Sequence, residues 1–131
     1  MKINATQMLE KVVDMDASDL HLSVGARPFV RINTSLKPLD EYQILTPDDV
    51  EFIFSQIIDT KQRDLLDINK ELDFSLALGQ KARFRVNAFY QKGYPSISMR
   101  YIKMEIPTFE ELLLPPIVNS VCNLKQGLVI V

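Results

Sequence analysis

The fold is decided by residues 83–102, which read RFRVNAFYQKGYPSISMRYI. Apolar and polar side chains alternate on both sides of Lys92 and Gly93, which predicts two antiparallel strands joined by a tight turn. A hairpin centred on this turn pairs Phe84 with Tyr101, Val86 with Met99 and Ala88 with Ile97. A shift of one residue would spoil the shared apolar face, so the alternation predicts this register.

A third strand precedes this hairpin. Its apolar residues also alternate with polar or small ones: Leu72, Phe74, Leu76 and Leu78. A three-residue turn over 79–81 would join it to the hairpin and place Asp73 opposite Asn87. The three strands form an antiparallel meander with one apolar face, and we expect helices to cover that face.

The first 70 residues predict helices and shorter strands. Thr46 is followed by Pro47 and two acids, which is a strong helix start, and Asn4 and Gln7 have capping-box spacing. Another short helix begins near Thr60. Strands are predicted over 19–23, 29–32 and 35–39 from their alternating or apolar residues. The predicted fold class is therefore α/β of the α+β kind, an antiparallel sheet with helices packed on one face.

The composition is that of an ordinary globular protein, with 47% hydrophobic and 24% charged residues. The net charge of −2 and the scattered lysines and arginines argue against nucleic acid as a partner. Cys122 is the only cysteine, so it has no internal disulfide partner, and its position in an apolar helix pattern predicts a small core residue. No apolar signal segment follows Met1, and we expect a cytoplasmic protein.

The character of the sequence changes after residue 104. Ile106 and Pro107 interrupt the sheet pattern, and residues 127–131, GLVIV, form a continuous apolar run. Such runs are typical of parallel strands that are buried on both faces and need neighbours on both sides. We therefore expect one domain over residues 1–104, followed over 105–131 by a linker and the truncated start of a second domain.

The polar face of the meander contains the most promising chemical arrangement. The predicted register places Arg85 opposite Arg100, with Arg83 and Asn87 on the same side. Two arginines that face each other are unfavourable unless a negative group lies between them. Two explanations stay open. In the first, Asp73 neutralises one arginine by forming an internal ion pair. In the second, the arginines bind an external anion such as phosphate, whose geometry suits planar guanidinium groups.

The other candidate residues do not predict a complete active site. His21 is the only histidine and has no second ligand at metal-binding spacing. Asp19 can orient His21 or pair with Arg31, but no nucleophile is close in sequence. Because the sequence contains no triad pattern, metal cluster or glycine-rich phosphate loop, we do not expect the chain alone to be an enzyme.

Several segments together resemble the N-terminal domain of the type IV pilus retraction ATPases, the PilT family. They are ASDLHLS at 17–23, RFRVNAF at 83–89, MRYI at 99–102 with IP at 106–107, FEEL at 109–112 with LP at 114–115, and GLVIV at 127–131. They follow the family's order and spacing over nearly the whole chain. One departure is the turn after the second strand. The family commonly has a glycine there, whereas this chain has Asn33, Thr34 and Ser35, so a tight turn is in doubt.

The resemblance implies a PAS-like N-domain over 1–104, a linker, and a RecA-like ATPase domain whose first strand lies within 105–131. It also implies homohexameric rings in which this domain packs on its own and the neighbouring subunit's ATPase domains. ATP and Mg2+ would bind the full protein, and no cofactor is expected on these residues alone. The implied phosphate-contacting residues are Arg85 and Arg100, with Arg83 as a lesser candidate.

The same resemblance implies a cytoplasmic location at the inner membrane face, where the motor and the pilus inner-membrane machinery would power twitching motility. One alternative is a pilus-assembly or type II secretion ATPase of the same superfamily. Another is a PAS-like ligand-sensing or protein-interaction module, which would require an apolar cavity between sheet and helices. A Gly-x-x-x-x-Gly-Lys-Ser/Thr motif directly after residue 131 would identify the ATPase class, because its amides and lysine hold phosphates.

Overall fold

Six strands form one antiparallel sheet in the computed structural model, which describes residues 3–130. The strands are β1 (Asp19–Ser23), β2 (Phe29–Ile32), β3 (Ser35–Pro38), β4 (Glu71–Leu78), β5 (Ala82–Gln91) and β6 (Tyr94–Ile102). The helices are α1 (Ala5–Asp14), α2 (Pro47–Ile57), α3 (Thr60–Asn69) and α4 (Ile117–Cys122). The strand order is β3-β2-β1-β6-β5-β4. The predicted antiparallel α+β fold is confirmed.

The meander of β4, β5 and β6 has the predicted register. β5 pairs with β6 so that Phe84 lies opposite Tyr101 and Arg85 lies opposite Arg100. Of the six apolar side chains that predict this register, Tyr101 is partly buried and the other five are buried: Phe84, Val86, Ala88, Ile97 and Met99. Burial of one face therefore selects the register, because a slip by one residue would expose these side chains.

β1 joins the two halves of the sheet. It pairs with β2 on one side and with β6 on the other, where Leu20 lies opposite Met99 and Asp19 lies opposite Arg100. The sequence predicts both strands but not their pairing, since Asp19 and Arg100 are 81 positions apart and no turn signal connects them. The meander is thus part of a larger sheet.

The hydrophobic core lies between one face of the sheet and the first three helices. α2 packs on β6, whereas α1 and α3 pack on β4. The largest fully buried side chains come from both layers: Met8, Leu20, Leu22, Ile53, Phe54, Leu66, Phe84, Ile97 and Met99. Because burial of apolar surface is the main stabilising term, the helices are held on this face and the other face stays open to solvent.

The helix starts form the hydrogen bonds that their sequences predict. The Thr46 hydroxyl accepts a hydrogen bond from the Asp49 N–H at 3.2 Å, and the Asp49 carboxylate accepts one from the Thr46 N–H at 2.8 Å. Pro47 occupies the start of α2. The Asn4 side chain accepts from the Gln7 N–H at 3.1 Å. These bonds satisfy donors that a helix start otherwise leaves unpaired.

The turn between β2 and β3 forms without glycine. Ile32 pairs with Ser35, so Asn33 and Thr34 are the two central residues of the turn. Both have positive φ angles, 46° and 69°. Asparagine adopts this left-handed conformation readily, but it is strained for a β-branched residue such as Thr34. The departure from the family's glycine therefore leaves the tight turn in place.

The segment after β6 is largely exposed. Within residues 105–130 only Val118 and Val121 are partly buried. Cys122 is exposed, so the prediction of a core position is wrong; α4 forms, but it has no buried residue and offers no apolar surroundings. Within residues 3–130, no helix is both long enough and apolar enough to cross a membrane.

The strand predicted over 127–131 is not formed in the part of it that the structure describes. Residues 127–130 have no strand assignment, and Leu128 and Ile130 are 85% and 86% exposed. The reason is physical: a strand needs a hydrogen-bonding neighbour, and no strand of the described chain pairs with these residues. Val131, like Met1 and Lys2, lies outside the described residues. The domain boundary at 104 stays a prediction.

Phe84→Ala is expected to lower the free energy of unfolding by about 3–5 kcal/mol, because it empties a fully buried position in β5. Chemical denaturation of the 131-residue chain measures this change. The matched control is Arg85→Ala, one position along on the exposed side, where we expect a change within about 0.5 kcal/mol. Equal losses in the two variants would contradict the assignment of the two faces.

Thr34→Gly is expected to raise the free energy of unfolding by about 0.5–1 kcal/mol, because glycine adopts a positive φ without the clash of a β-branched side chain. Thermal and chemical denaturation measure the gain. Ser35→Gly, at the start of β3, should instead destabilise the chain, since glycine weakens a strand. A loss of stability in Thr34→Gly would show that the turn is not strained.

Candidate anion-binding site

The face of the sheet opposite the helices is lined by polar side chains, and we call it the open face. Strand alternation and the observed register place its principal members, which are Asp19, His21, Arg31, Asp73, Arg83, Arg85, Asn87, Ser98 and Arg100. These residues come from five strands. The sheet, rather than any loop, therefore holds the candidate site.

One row of the open face contains three arginines and one carboxylate. Across neighbouring strands the side chains follow the order Arg31, Asp19, Arg100, Arg85 and Ser75. Opposite charges that face each other across a ladder are favourable, and like charges are unfavourable. Asp19 therefore separates two of the arginines, whereas Arg100 and Arg85 face each other directly.

Asp19 is the buried member of this row, with 8% of its surface exposed. The Arg100 Nε–H donates to Asp19 Oδ1 at 3.1 Å, and the Ser18 hydroxyl donates to Oδ2 at 2.8 Å. Arg31 Nε lies 3.5 Å from Oδ2, which confirms the Asp19–Arg31 pair that the sequence suggests. The contact with Arg100 could not be predicted from the sequence, because it depends on the β1–β6 pairing.

The charge state of Asp19 follows from these contacts. Burial would by itself raise the pKa of its carboxyl, but the hydrogen bonds from Ser18 and Arg100 and the positive charge of Arg100 act in the opposite direction and prevail. The pKa of Asp19 is consequently lowered from its ordinary value. Asp19 is ionised at neutral pH and compensates the charge of its neighbours.

Arg85 has no such anchor. Within residues 3–130, no carboxylate oxygen lies within 4.0 Å of its guanidinium, so the ion pair with Asp73 suggested by the sequence is not formed. Asp73 instead accepts a hydrogen bond from Asn87 Nδ2 at 3.3 Å, and the same amide donates to Glu71 at 3.0 Å. Of the two facing arginines, one is held by a carboxylate and the other is not.

The side chains around the two arginines enclose a shallow open depression of about 160 Å³. It is lined by Asp19, Asp73, Arg85, Asn87, Ser98 and Arg100. Beside it lies a second, wider depression lined by Arg83, Arg85, Phe74 and Ile102, among others. The structure thus brings Arg85 and Arg100 to one depression and places Arg83 at the neighbouring one.

Ser98 lines this depression, and His21 lies beside Ser98. The Ser98 hydroxyl is 3.3 Å from His21 Nδ1, and within residues 3–130 the buried Nε2 of His21 has no hydrogen-bond partner. Ser98 carries no motif in the sequence, although its position two residues before Arg100 places both on one face of β6. Ser98 adds a hydroxyl to the polar lining.

The side chains of this depression have the donor chemistry of an oxyanion site. Two guanidinium groups present several N–H donors, and those of Arg85 are not engaged by any carboxylate in the described chain. Within residues 3–130, no three His, Cys, Asp or Glu side chains are grouped to hold a metal ion. The site is suited to recognising an oxyanion supplied from outside.

Similar proteins agree on one family. No protein-family model matches the chain. This chain is 32% identical over 124 residues to the type IV pilus ATPase PilU of Pseudomonas aeruginosa. The alignment covers 95% of this chain and 32% of PilU. The chain is 34% identical over 134 residues to PilT of the same organism, a type IV pilus retraction ATPase, covering 98% of the chain and 37% of PilT. The chain belongs to the PilT family.

Solved structures agree with this assignment. The crystal structure of the pilus retraction motor PilT with bound ADP matches at a TM-score of 0.78 and 33% identity, over 95% of this chain and 36% of that one. The Legionella pneumophila ATPase DotB matches at a TM-score of 0.74 and 21% identity, which shows the shared fold. The chain spans about a third of the length of these relatives and corresponds to the N-terminal domain of the PilT family.

Asp19→Asn is expected to lower the free energy of unfolding by about 1–3 kcal/mol at pH 7, because it removes a charged hydrogen-bond acceptor. Since the folded-state pKa of Asp19 is lowered, its contribution is present above the unfolded pKa and is lost as pH falls through the folded pKa. The difference from the wild type should therefore shrink as pH falls below about 4.

Chemical denaturation of both proteins between pH 7 and pH 2.5 measures this difference. The matched control is Asp73→Asn, which removes an exposed carboxylate of the same face; within residues 3–130 this carboxylate accepts a hydrogen bond only from Asn87. A difference for Asp19→Asn that stays constant with pH would contradict the role of its charge.

Proposed function

We propose that this chain is the nucleotide-contacting and subunit-packing N-terminal domain of a hexameric motor that hydrolyses ATP to retract type IV pili. The observation that carries the proposal is the pair Arg85 and Arg100, which face each other at an open depression. Two facing cations without a negative group between them are unfavourable by roughly a few tenths of a kcal/mol, and a bound phosphate would reverse the sign of that interaction.

The residues present fit a nucleotide phosphate. Guanidinium groups match phosphate oxygens in shape and donor number, and both arginines project from paired strands of fixed register. The related PilT structure contains ADP, which supports a nucleotide as the source of the anion. The resemblance to the PilT family implies that the full protein binds ATP together with Mg2+.

The arginines would act by favouring one arrangement of two domains. They contribute little until a terminal phosphate lies between the open face and an ATPase domain. ATP then stabilises the closed arrangement through contacts that the open arrangement lacks, and loss of the phosphate releases it. Closure and release would move this domain relative to the ATPase domain and so drive pilus disassembly.

The exposed C-terminal segment supports a role between domains. Ile106 and Leu113 are 92% and 90% exposed, and Ile130 is 86% exposed. Exposed apolar side chains in such number mark surfaces that associate with other protein. We propose that residues 105–131 are the linker and first strand of the RecA-like domain. In the full protein, the chain's own ATPase domain and the neighbouring subunits of a homohexamer would cover these residues. The assembly would lie in the cytoplasm at the inner membrane face.

A ligand-sensing function is less well supported. It would require a cavity between the sheet and its helices, and fully buried Phe54, Phe84 and Met8 occupy that space. The depression that contains the charged residues lies on the opposite side of the sheet. The open face, rather than the core, is the place where this domain would bind a small molecule.

Arg85→Ala and Arg100→Ala, introduced into the full-length protein, are expected to lower ATP turnover at least about tenfold, since each removes a charged contact worth about 1.5–3 kcal/mol. Circular dichroism of the 131-residue chain should show that both variants stay folded. Lys37→Ala removes an exposed cation from the edge strand β3 and should leave turnover unchanged. Wild-type turnover in both arginine variants would refute the proposed function.

A further inference from the structure

We propose that Asp19 is a positioning residue for nucleotide binding, because its carboxylate sets the direction in which Arg100 presents its guanidinium group. This inference rests on the proposed function of the open face. From the sequence alone, the suggested roles of Asp19 are to orient His21 or to pair with Arg31. The contact that carries the inference is the 3.1 Å hydrogen bond from Arg100 Nε to Asp19 Oδ1.

The need for such a residue follows from the exposure of Arg100. Its side chain is 73% exposed, and within residues 3–130 Asp19 is its only carboxylate partner. A long exposed arginine loses rotamer entropy of up to about 2 kcal/mol when a ligand immobilises it. Asp19 holds this side chain in place before the ligand arrives, so less entropy is lost when a phosphate binds.

The geometry of the contact leaves the binding groups free. Asp19 accepts from Nε, and no hydrogen bond or ion pair within residues 3–130 involves the two terminal nitrogens of Arg100. These two Nη groups can form a pair of parallel hydrogen bonds with a phosphate. Asp19 thus anchors the inner side of the guanidinium group and leaves its outer side to the depression.

Asp19 is itself held rigidly. Its side chain is 11% exposed, its second oxygen accepts from the Ser18 hydroxyl at 2.8 Å, and Arg31 Nε lies 3.5 Å from that oxygen. Because Ser18 and Arg31 also contact it, the carboxylate stays compensated when the Nη groups of Arg100 bind a phosphate. Asp19 therefore supports Arg100 without competing strongly for it.

The same contact separates the roles of the two arginines. Arg100 faces Arg85 across the β5–β6 ladder, and Arg85 has no carboxylate within 4.0 Å in the described chain. Asp19 balances the positive charge on one side of this pair. Removing its charge would increase the repulsion between the arginines and let both side chains turn outward, away from the depression.

The test is a double-mutant cycle on ATP affinity in the full-length protein, using Asp19→Asn, Arg100→Ala and the combined variant. Asp19→Asn is expected to weaken ATP binding about tenfold, equivalent to about 1.4 kcal/mol. In the Arg100→Ala background the same substitution should change the affinity less than about twofold, because the residue through which it acts is gone. A merely structural role would cost the same in both backgrounds.

Three further measurements keep the result interpretable. Lys37→Ala, on the edge strand β3, leaves the Asp19–Arg100 hydrogen bond in place and should change ATP affinity less than about twofold. Ser18→Ala keeps the charge of Asp19 but loosens its orientation, and should weaken binding about two- to threefold, a second variant in case Asp19→Asn folds poorly. The Arg100 Nε–H NMR signal of the 131-residue chain should be protected from exchange in the wild type and lose that protection in Asp19→Asn.

The outcomes separate this inference from the proposed function. Equal losses in both backgrounds, or unchanged or tighter ATP binding in Asp19→Asn, would overturn the positioning role while leaving the arginine site intact. Unchanged affinity in both Arg85→Ala and Arg100→Ala would overturn the proposed function, and the positioning role with it. Loss of affinity confined to the background that retains Arg100, together with the NMR change, supports the inference.

Discussion

The pairing of β1 with β6 is the interaction on which the rest of the structure depends. Without it the chain would form a three-stranded meander and a separate small sheet, each with an uncovered edge. With it, the six strands form one sheet, and the helices pack on its single apolar face. The same ladder places Asp19 opposite Arg100, so the pairing that completes the core also completes the polar row on the other side.

The sequence predicts the local parts of this fold well. Alternation and turn signals predict the β5–β6 register, and the helix start at Thr46 follows from its capping pattern. The facing arginines follow from that register alone. Each prediction depends on residues close in sequence, where periodicity and turn chemistry specify the geometry.

The parts that could not be predicted are those that depend on distant or external partners. The contact between Asp19 and Arg100 requires a strand pairing that no local pattern encodes. Cys122 fits a core helix by its neighbours, but burial requires a second surface, and α4 has none in the described chain. The unpaired apolar run after Gly127 is different, because its pattern itself indicates a strand that needs neighbours on both sides. Pattern indicates which residues prefer burial but not what will bury them.

The long separation between β1 and β6 also bears on the order of folding. The hairpins of the meander close short loops, whereas docking β1 closes a far longer one, and contacts distant in sequence are slow to form. We therefore expect β1 to dock late, after the arginine hairpin already exists. Until then the edge of β6 is unpaired and open to intermolecular strand addition. The last step of folding would protect the chain from aggregation and assemble its candidate site at once.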